Sequence, residues 1–239
     1  NNLGYNVLAI TDHNHVTSCQ EMHSNSSDRF LCIVGEEWSP IEGHMVRLYV
    51  NSTFYSLLSR TQKMINSTVS QGGIVIIAHP AFSSIWSVEG MKSYSDYLGI
   101  EIYNRKAEVI KRRPYSVDRW DALLRSGKKV WGFAVDDMHQ LASDAGSGWI
   151  EVYVETLTHE NFSNSLTIGN FYSTQGPTMQ DQPFEITCNV HPLTNLCDGT
   201  THYMGAEANC TSTTVKATIK ATNQGEAIKS ILLIQDGKI

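Results

Sequence analysis

The sequence predicts an α/β barrel over residues 1–180 followed by a small antiparallel β domain over residues 181–239. Three features predict it. Short β-branched runs alternate with segments of helical period, the rhythm of parallel strands joined by helices. Aspartate, glutamate and histidine recur directly after those runs, at the strand ends where a barrel displays its chemistry. From about Pro183 the helical segments cease and only strand-like runs remain.

Taken in order, Asn1 to Tyr5 reads as the tail of a helix, and Val7 to Thr11 as a buried strand that delivers Asp12 and His13. Leu31 to Val34 leads into Glu36 and Glu37, and Met45 to Val50 follows Gly43-His44. Apolar residues at Phe54, Leu57, Leu58, Met64, Ile65 and Val69 follow a rough helical period that Gly72-Gly73 ends. Ile74 to Ile77 is a continuous apolar run, as expected of a strand covered on both faces, and it stops at His79-Pro80. Gly99 to Tyr103 is the next strand. Ala107 to Arg125 reads as helix interrupted before Pro114, and Val130 to Val135 ends at Asp136. Trp149 to Val154 alternates like a half-exposed strand, His159 to Ile168 is helical up to Gly169, and Phe171 to Thr174 is a strand. Phe184 to Val190, Thr213 to Ala221 and Ile228 to Ile234 complete the β region. Both ends read as cut, with a strand almost at once after Asn1 and a hairpin signal, Asp236-Gly237, close to the last residue.

The net charge of −6 argues against nucleic acid as a partner, because phosphate backbones reward clustered lysine and arginine. Lys111-Arg112-Arg113 is short and reads as a solvated helix face. No stretch is long and apolar enough for a membrane span. The five cysteines lack Cys-x-x-Cys spacing, which argues against a structural zinc site. They are either buried thiols or disulfides, Cys19 with Cys32 and one pair among Cys188, Cys197 and Cys210, with Cys197–Cys210 the expected pair. Sequons at Asn25, Asn51, Asn66, Asn161 and Asn209 are in mild excess over what composition would place. Together these favour disulfides and a secreted, glycosylated chain, with a cytoplasmic one as the alternative.

Imidazoles and carboxylates at successive strand ends suit zinc, manganese or iron, and such ions activate water for hydrolysis. His13 alone would be a capped core histidine, but beside Asp12 at a strand end it reads as a ligand. Glu36-Glu37 follows an apolar strand and precedes Trp38-Ser39-Pro40, which argues against a solvated loop. His44 reads equally as a turn residue. His79 is delivered by a buried run, and Asp137 and His139 follow the last barrel strand. Arg47 and Asn104 are assigned to substrate, although a solvent-facing arginine and strand-end hydrogen bonding for Asn104 and Glu101 explain them as well. His15, His23, His159, His191 and His202 receive no role, and Trp38, Trp86 and Trp131 read as packing.

The motif order Thr11-Asp12-His13-Asn14, Gly35-Glu36-Glu37, Gly43-His44, Ala78-His79-Pro80, Glu101-x-Tyr103-Asn104 and Asp136-Asp137-Met138-His139 resembles the PHP (polymerase and histidinol phosphatase) superfamily. These are metal-dependent phosphoesterases on a distorted (β/α)7 barrel. The segment Gly169 to Pro177 is similar to the carbaryl-hydrolase-like branch, where it precedes a small β domain. The resemblance implies metal ligands at Asp12, His13, Glu37, His44, His79, Asp137 and His139, with Glu37 bridging two cations and His13 and Asp137 catalytic. The family's His-x-His lies on a first strand, which is missing from this chain.

The expected function is therefore a metal-dependent hydrolase of phosphoesters or related esters, acting on a small-molecule substrate through metal-bound hydroxide. The alternative is a catalytically impaired scaffold in a secreted glycoprotein that assembles with copies of itself through the edges of its β domain.

Overall fold

The computed structural model describes residues 3–19, 30–41, 43–55, 60–176, 178–188, 201–203 and 215–222, the last three stretches as strand backbone alone. Among the described residues the main sheet has six strands in chain order: β1 (Val7–Ile10), β2 (Leu31–Trp38), β3 (Met45–Leu48), β4 (Ile74–Ile77), β5 (Gly99–Asn104) and β6 (Trp131–Val135). The sheet curls into a half-barrel, and side chains from beyond β1 and β6 meet at one mouth, where the rings of His13 and His139 lie 6.3 Å apart. The complete seven-stranded barrel is not what these residues form.

Strand direction departs from the expected all-parallel order. β1 and β2 are parallel, as are β4, β5 and β6, but β3 runs antiparallel to both neighbours. The cause is the short link from Trp38 to Met45, since a parallel return needs a crossover of about a dozen residues or more. α1 (Thr61–Val69) joins the antiparallel β3 and β4, and the parallel crossovers use α2 (Val88–Ser93), then α3 (Arg105–Lys111) and α4 (Val117–Arg125). The helix expected from Phe54 starts only at Thr61 among the described residues; the Phe54 amide instead donates to Glu36 (3.3 Å) and its ring packs edge-on against Trp38. The expected interruption before Pro114 is present: Arg112 turns left-handed (φ 55°) and ends α3. α2 has no helical period in the sequence strong enough to announce it, but Ser87 caps it by accepting from Gly90 N (3.0 Å).

β4 shows how the core is divided. Val75 and Ile77 enter a cluster with Met45, Met64, Ile65, Met91, Ile100 and Leu123, beneath the crossover helices. Ile74 and Ile76 enter a second cluster with Ile33, Leu48, Phe133, Phe162 and Leu166. β4 is thus buried on both faces, as its sequence predicts. β1 is only half-buried, because it pairs with β2 alone at the sheet edge.

After β6 come α5 (Leu141–Asp144) and a separate antiparallel pair, β7 (Trp149–Val152) and β8 (Phe171–Thr174), linked by α6 (His159–Ile168). This pair docks on β6 by stacking Phe171 on Phe133 (ring centroids 4.8 Å apart) and by one side-chain hydrogen-bond bridge. Ser173 Oγ accepts from Ala134 N (2.9 Å) and donates to the Gly132 carbonyl (2.7 Å), replacing a backbone ladder. β9 (Thr178–Cys188), β10 (Thr201–Tyr203) and β11 (Val215–Thr222) form a three-stranded antiparallel sheet in the order β10-β9-β11. The expected strand over 228–234 lies outside the described residues.

Cys19 and Cys32 form the expected disulfide, both buried, tying the loop after His13 to the start of β2. Cys188 is the last residue of β9, while Cys197 and Cys210 lie outside the described residues. Asn51 and Asn66 are exposed and Asn161 is half-buried; Asn25 and Asn209 lie outside the described residues.

Arg47 departs from its expected place at a substrate. It stands directly across from Glu36 in the β2–β3 register, only 1% exposed, with its guanidinium 2.5 Å from Glu36 Oε2 and 2.7 Å from Thr68 Oγ1. It is a core ion pair. Removing one member of such a pair strands the other charge. Arg47→Met will cost about 3–5 kcal/mol in urea unfolding, and Glu36→Gln/Arg47→Met will recover most of it. A single-variant loss under about 1 kcal/mol would contradict the pairing.

Candidate metal centre

The centre is built on Glu37. Beyond the end of β1 the backbone continues to track β2: Glu37 N donates to the Asp12 carbonyl (3.0 Å) and Asn14 N to the Glu37 carbonyl (2.9 Å). This bridge sets His13 beside Glu37. The antiparallel return of β3 brings His44 to the same place. Gly43 makes that return possible with φ 117°; a Cβ there would fall 2.4 Å from the Trp86 indole. β4 delivers His79 from the next strand.

Three imidazoles converge on one carboxylate. His44 Nδ1 lies 2.9 Å and His79 Nε2 3.0 Å from Glu37 Oε1, and His13 Nδ1 lies 3.2 Å from Oε2. Burial pushes the Glu37 carboxyl up, but hydrogen bonds and charge from His44 and His79 outweigh it and hold the group at about 2. Burial opposes the charged form of His79, yet the hydrogen bond to Glu37 and the charges of Glu101, Glu37 and Asp137 push it up to about 9.

A second carboxylate layer lies behind His79. Glu101 Oε2 accepts from His79 N (2.7 Å) and from Asn104 Nδ2 (2.8 Å), and Asn104 Nδ2 also reaches Asp137 Oδ2 (3.1 Å). Asn104 Oδ1 meanwhile accepts from Ala107 N (2.7 Å) and so starts α3. Burial pushes Glu101 up, and burial with the Glu37 charge pushes Asp137 up. His79 (φ 28°) and Asp137 (φ 49°) both have left-handed backbone, a conformation that non-glycine residues adopt at a cost of roughly 1–3 kcal/mol.

The expected ligands are thus placed unequally. His13, Glu37, His44 and His79 meet directly. Asp137 stands behind His79. His139 bonds the Asp137 carbonyl through Nδ1 (2.9 Å), and its ring tilts toward His13. Asp12 joins the cluster through its carbonyl, while its exposed carboxylate accepts from the Thr17 hydroxyl. Asn104 buttresses Asp137 from within the core. Asp136 serves the scaffold, accepting from Gly146 N, Ser147 N and Gly148 N (2.8–2.9 Å) and from the Tyr5 hydroxyl. Sequence reasoning missed Ser39, whose hydroxyl meets His13 Nδ1 at 2.6 Å and donates to the Glu37 carbonyl (3.0 Å). A serine two residues past a strand-end glutamate carries no signal of its own.

The donor set fits a divalent cation. Ligand atoms of His13, Glu37 and His44 lie within 4.8 Å of one another, and imidazole nitrogen with carboxylate oxygen suits zinc, manganese or iron. Each imidazole proton that bridges to Glu37 marks a place where a cation can substitute for a proton.

No family model matches this chain, and no curated protein matches it. Among solved structures it is similar to a two-domain protein containing a predicted PHP-like metal-dependent phosphoesterase from Bacteroides vulgatus ATCC 8482. That likeness covers 95% of this chain and 79% of the other at 12% identity, with a TM-score of 0.56. At this identity the likeness is one of fold.

The pairing around Glu37 sets a pH window for the metal-free protein. A depressed carboxylate adds stability that is complete above its unfolded value near 4.5 and is lost as pH falls toward about 2. A raised histidine adds stability that is complete below its unfolded value near 6.5 and is lost as pH rises through about 9. The Glu37-dependent part of the urea midpoint, taken as wild type minus Glu37→Gln across pH in chelator, will be largest between about 4.5 and 6.5 and will shrink on both sides. An unchanged profile in that variant would contradict the cluster.

Proposed function

We propose that this chain is a metal-dependent hydrolase of phosphoesters or related esters, of the PHP type, acting on a small-molecule substrate. One observation carries the reading: three imidazoles from three different strand ends share a single buried carboxylate at the mouth of the half-barrel. Core packing alone gives no reason to gather them, and the fold likeness to a predicted metal-dependent phosphoesterase points the same way. The finer placement in the carbaryl-hydrolase-like branch rests on the segment Gly169 to Pro177.

His13, Glu37, His44 and His79 would hold the cation, together with Asp137 and His139. A divalent cation there supplies Lewis acidity that activates water and draws charge from the ester oxygen. Glu37 would balance that positive charge. Asn104 holds Asp137 in line with the cluster, and Glu101 fixes His79 through its backbone amide. Lys111 lies 5.6 Å over the Phe82 ring, which itself stacks edge-on against His79 at 5.3 Å, and it offers a positive rim to an anionic ester.

We further propose that the protein works outside the cytoplasm. The Cys19–Cys32 disulfide and the exposed sequons at Asn51 and Asn66 support this. No helix of the described residues is long and apolar enough to cross a membrane.

The test is metal analysis followed by assay of bis(p-nitrophenyl) phosphate, p-nitrophenyl phosphate and a p-nitrophenyl carboxylic ester. The proposal expects bound zinc, manganese or iron, hydrolysis that chelation abolishes, and a loss of about a hundredfold or more in Glu37→Gln. A folded protein that takes up none of these metals and turns over none of these esters would overturn it.

A further inference from the structure

Asp144 belongs to none of the motifs above, yet it is fully buried and surrounded by donors. Its Oδ2 accepts from His139 N (2.9 Å), Gln140 N (2.9 Å) and Lys106 Nζ (3.1 Å), and its Oδ1 from Ser143 Oγ (2.7 Å). Charge-assisted bonds of this number hold a carboxylate rigidly and keep it ionised. His139, in contrast, has a ring about half exposed, so its position is set by its backbone. That backbone is fixed by Asp144.

The other side of the clamp is a run of three consecutive residues where β5 passes into α3. Asn104 Nδ2 reaches Asp137 Oδ2 (3.1 Å), Arg105 Nε reaches the Ser143 carbonyl (3.2 Å), and Lys106 Nζ reaches Asp144. Between them they pin the segment from Asp137 to Asp144 at its start and at its last two residues. Lys106 is largely buried, so the pair is shielded from the screening that weakens surface ion pairs.

We propose that Asp144, neutralised by Lys106, is a positioning residue for His139, and that this buried pair sets the metal affinity of the Asp137–His139 side of the centre. The proposal rests on the metal reading above. It differs from a merely structural role in one respect: the effect of Asp144 on metal must run through His139.

The test uses the full chain. Amide hydrogen exchange is measured in the metal-free protein, and zinc affinity is measured by competition with a chromophoric chelator. Asp144→Asn should lower protection of the His139 and Gln140 amides by tenfold or more and weaken zinc by about 10–100-fold. Lys106→Met should act in the same direction, and Lys106→Arg should restore affinity. In a His139→Ala background, Asp144→Asn should add nothing further to the zinc loss. Equal zinc loss with and without His139, or intact affinity despite lost protection, would overturn the proposal. Should Asp144→Asn fail to fold, Lys106→Met in both backgrounds gives the same reading. A wild-type protein that takes no zinc sinks the metal reading together with the affinity half of this proposal, and the amide arm still decides whether Asp144 clamps the loop.

Discussion

A carboxylate buried beneath a barrel mouth must find positive charge or give up its own, because burial without a partner costs several kcal/mol. Glu37 finds it in hydrogen bonds and charge from His44 and His79, and His13 closes on its other oxygen; the three come from the ends of β1, β3 and β4. Much of the surrounding architecture follows from this demand. β3 has to turn back within a few residues for His44 to arrive, and Gly43 supplies the backbone for that turn. His79 and Asp137 both sit in left-handed conformations that their side chains do not favour, and both are held there by Glu101 and Asn104. Strain collected at a cluster of titratable groups is the usual mark of a functional site.

The support for this cluster is polar and layered. Glu36 and Arg47 neutralise one another one position before Glu37 and on the other face of β2, so that only Glu37 is left facing the mouth. Asn104 joins two acidic side chains while starting a helix with its carbonyl oxygen. Asp136 gathers the three amides of the 146–148 turn and the hydroxyl of Tyr5, tying the strand that opens the sheet to the strand that closes it. Two adjacent aspartates thus divide the work: Asp136 holds the frame and Asp137 joins the polar layer behind His79.

Some of this was legible in the residues alone. The apolar run Ile74–Ile77 and the helix His159–Ile168 emerge with the boundaries expected, because each is a pure signal: unbroken β-branched residues in one, and Gly169 as the stop mark of the other. The strand-end histidines and Glu37 were legible as a set because each directly follows such a run. The direction of β3 was not, since alternation carries no arrow and only the length of the preceding link decides it. Arg47 was misread for a related reason. A lone arginine in a strand looks solvent-facing, and its partner Glu36 becomes visible only once the two strands are in register. Asp12 was expected to point inward by its place beside His13, but neighbours along extended backbone face opposite ways, and here His13 has the inner side. Asp144 had no signal at all, because a buried capping aspartate and a solvated one look the same in sequence.

The central claim is that the imidazoles of His13, His44 and His79 form one unit with Glu37 and take a cation together. Long-range 15N correlation spectra of the histidine side chains during a zinc titration test it most directly. The account predicts that the ring nitrogens of these three residues shift together and saturate at one common zinc ratio, while His159, far from the mouth, stays unmoved. Independent shifts for the three, or a zinc response confined to His159 and other outlying histidines, would contradict it.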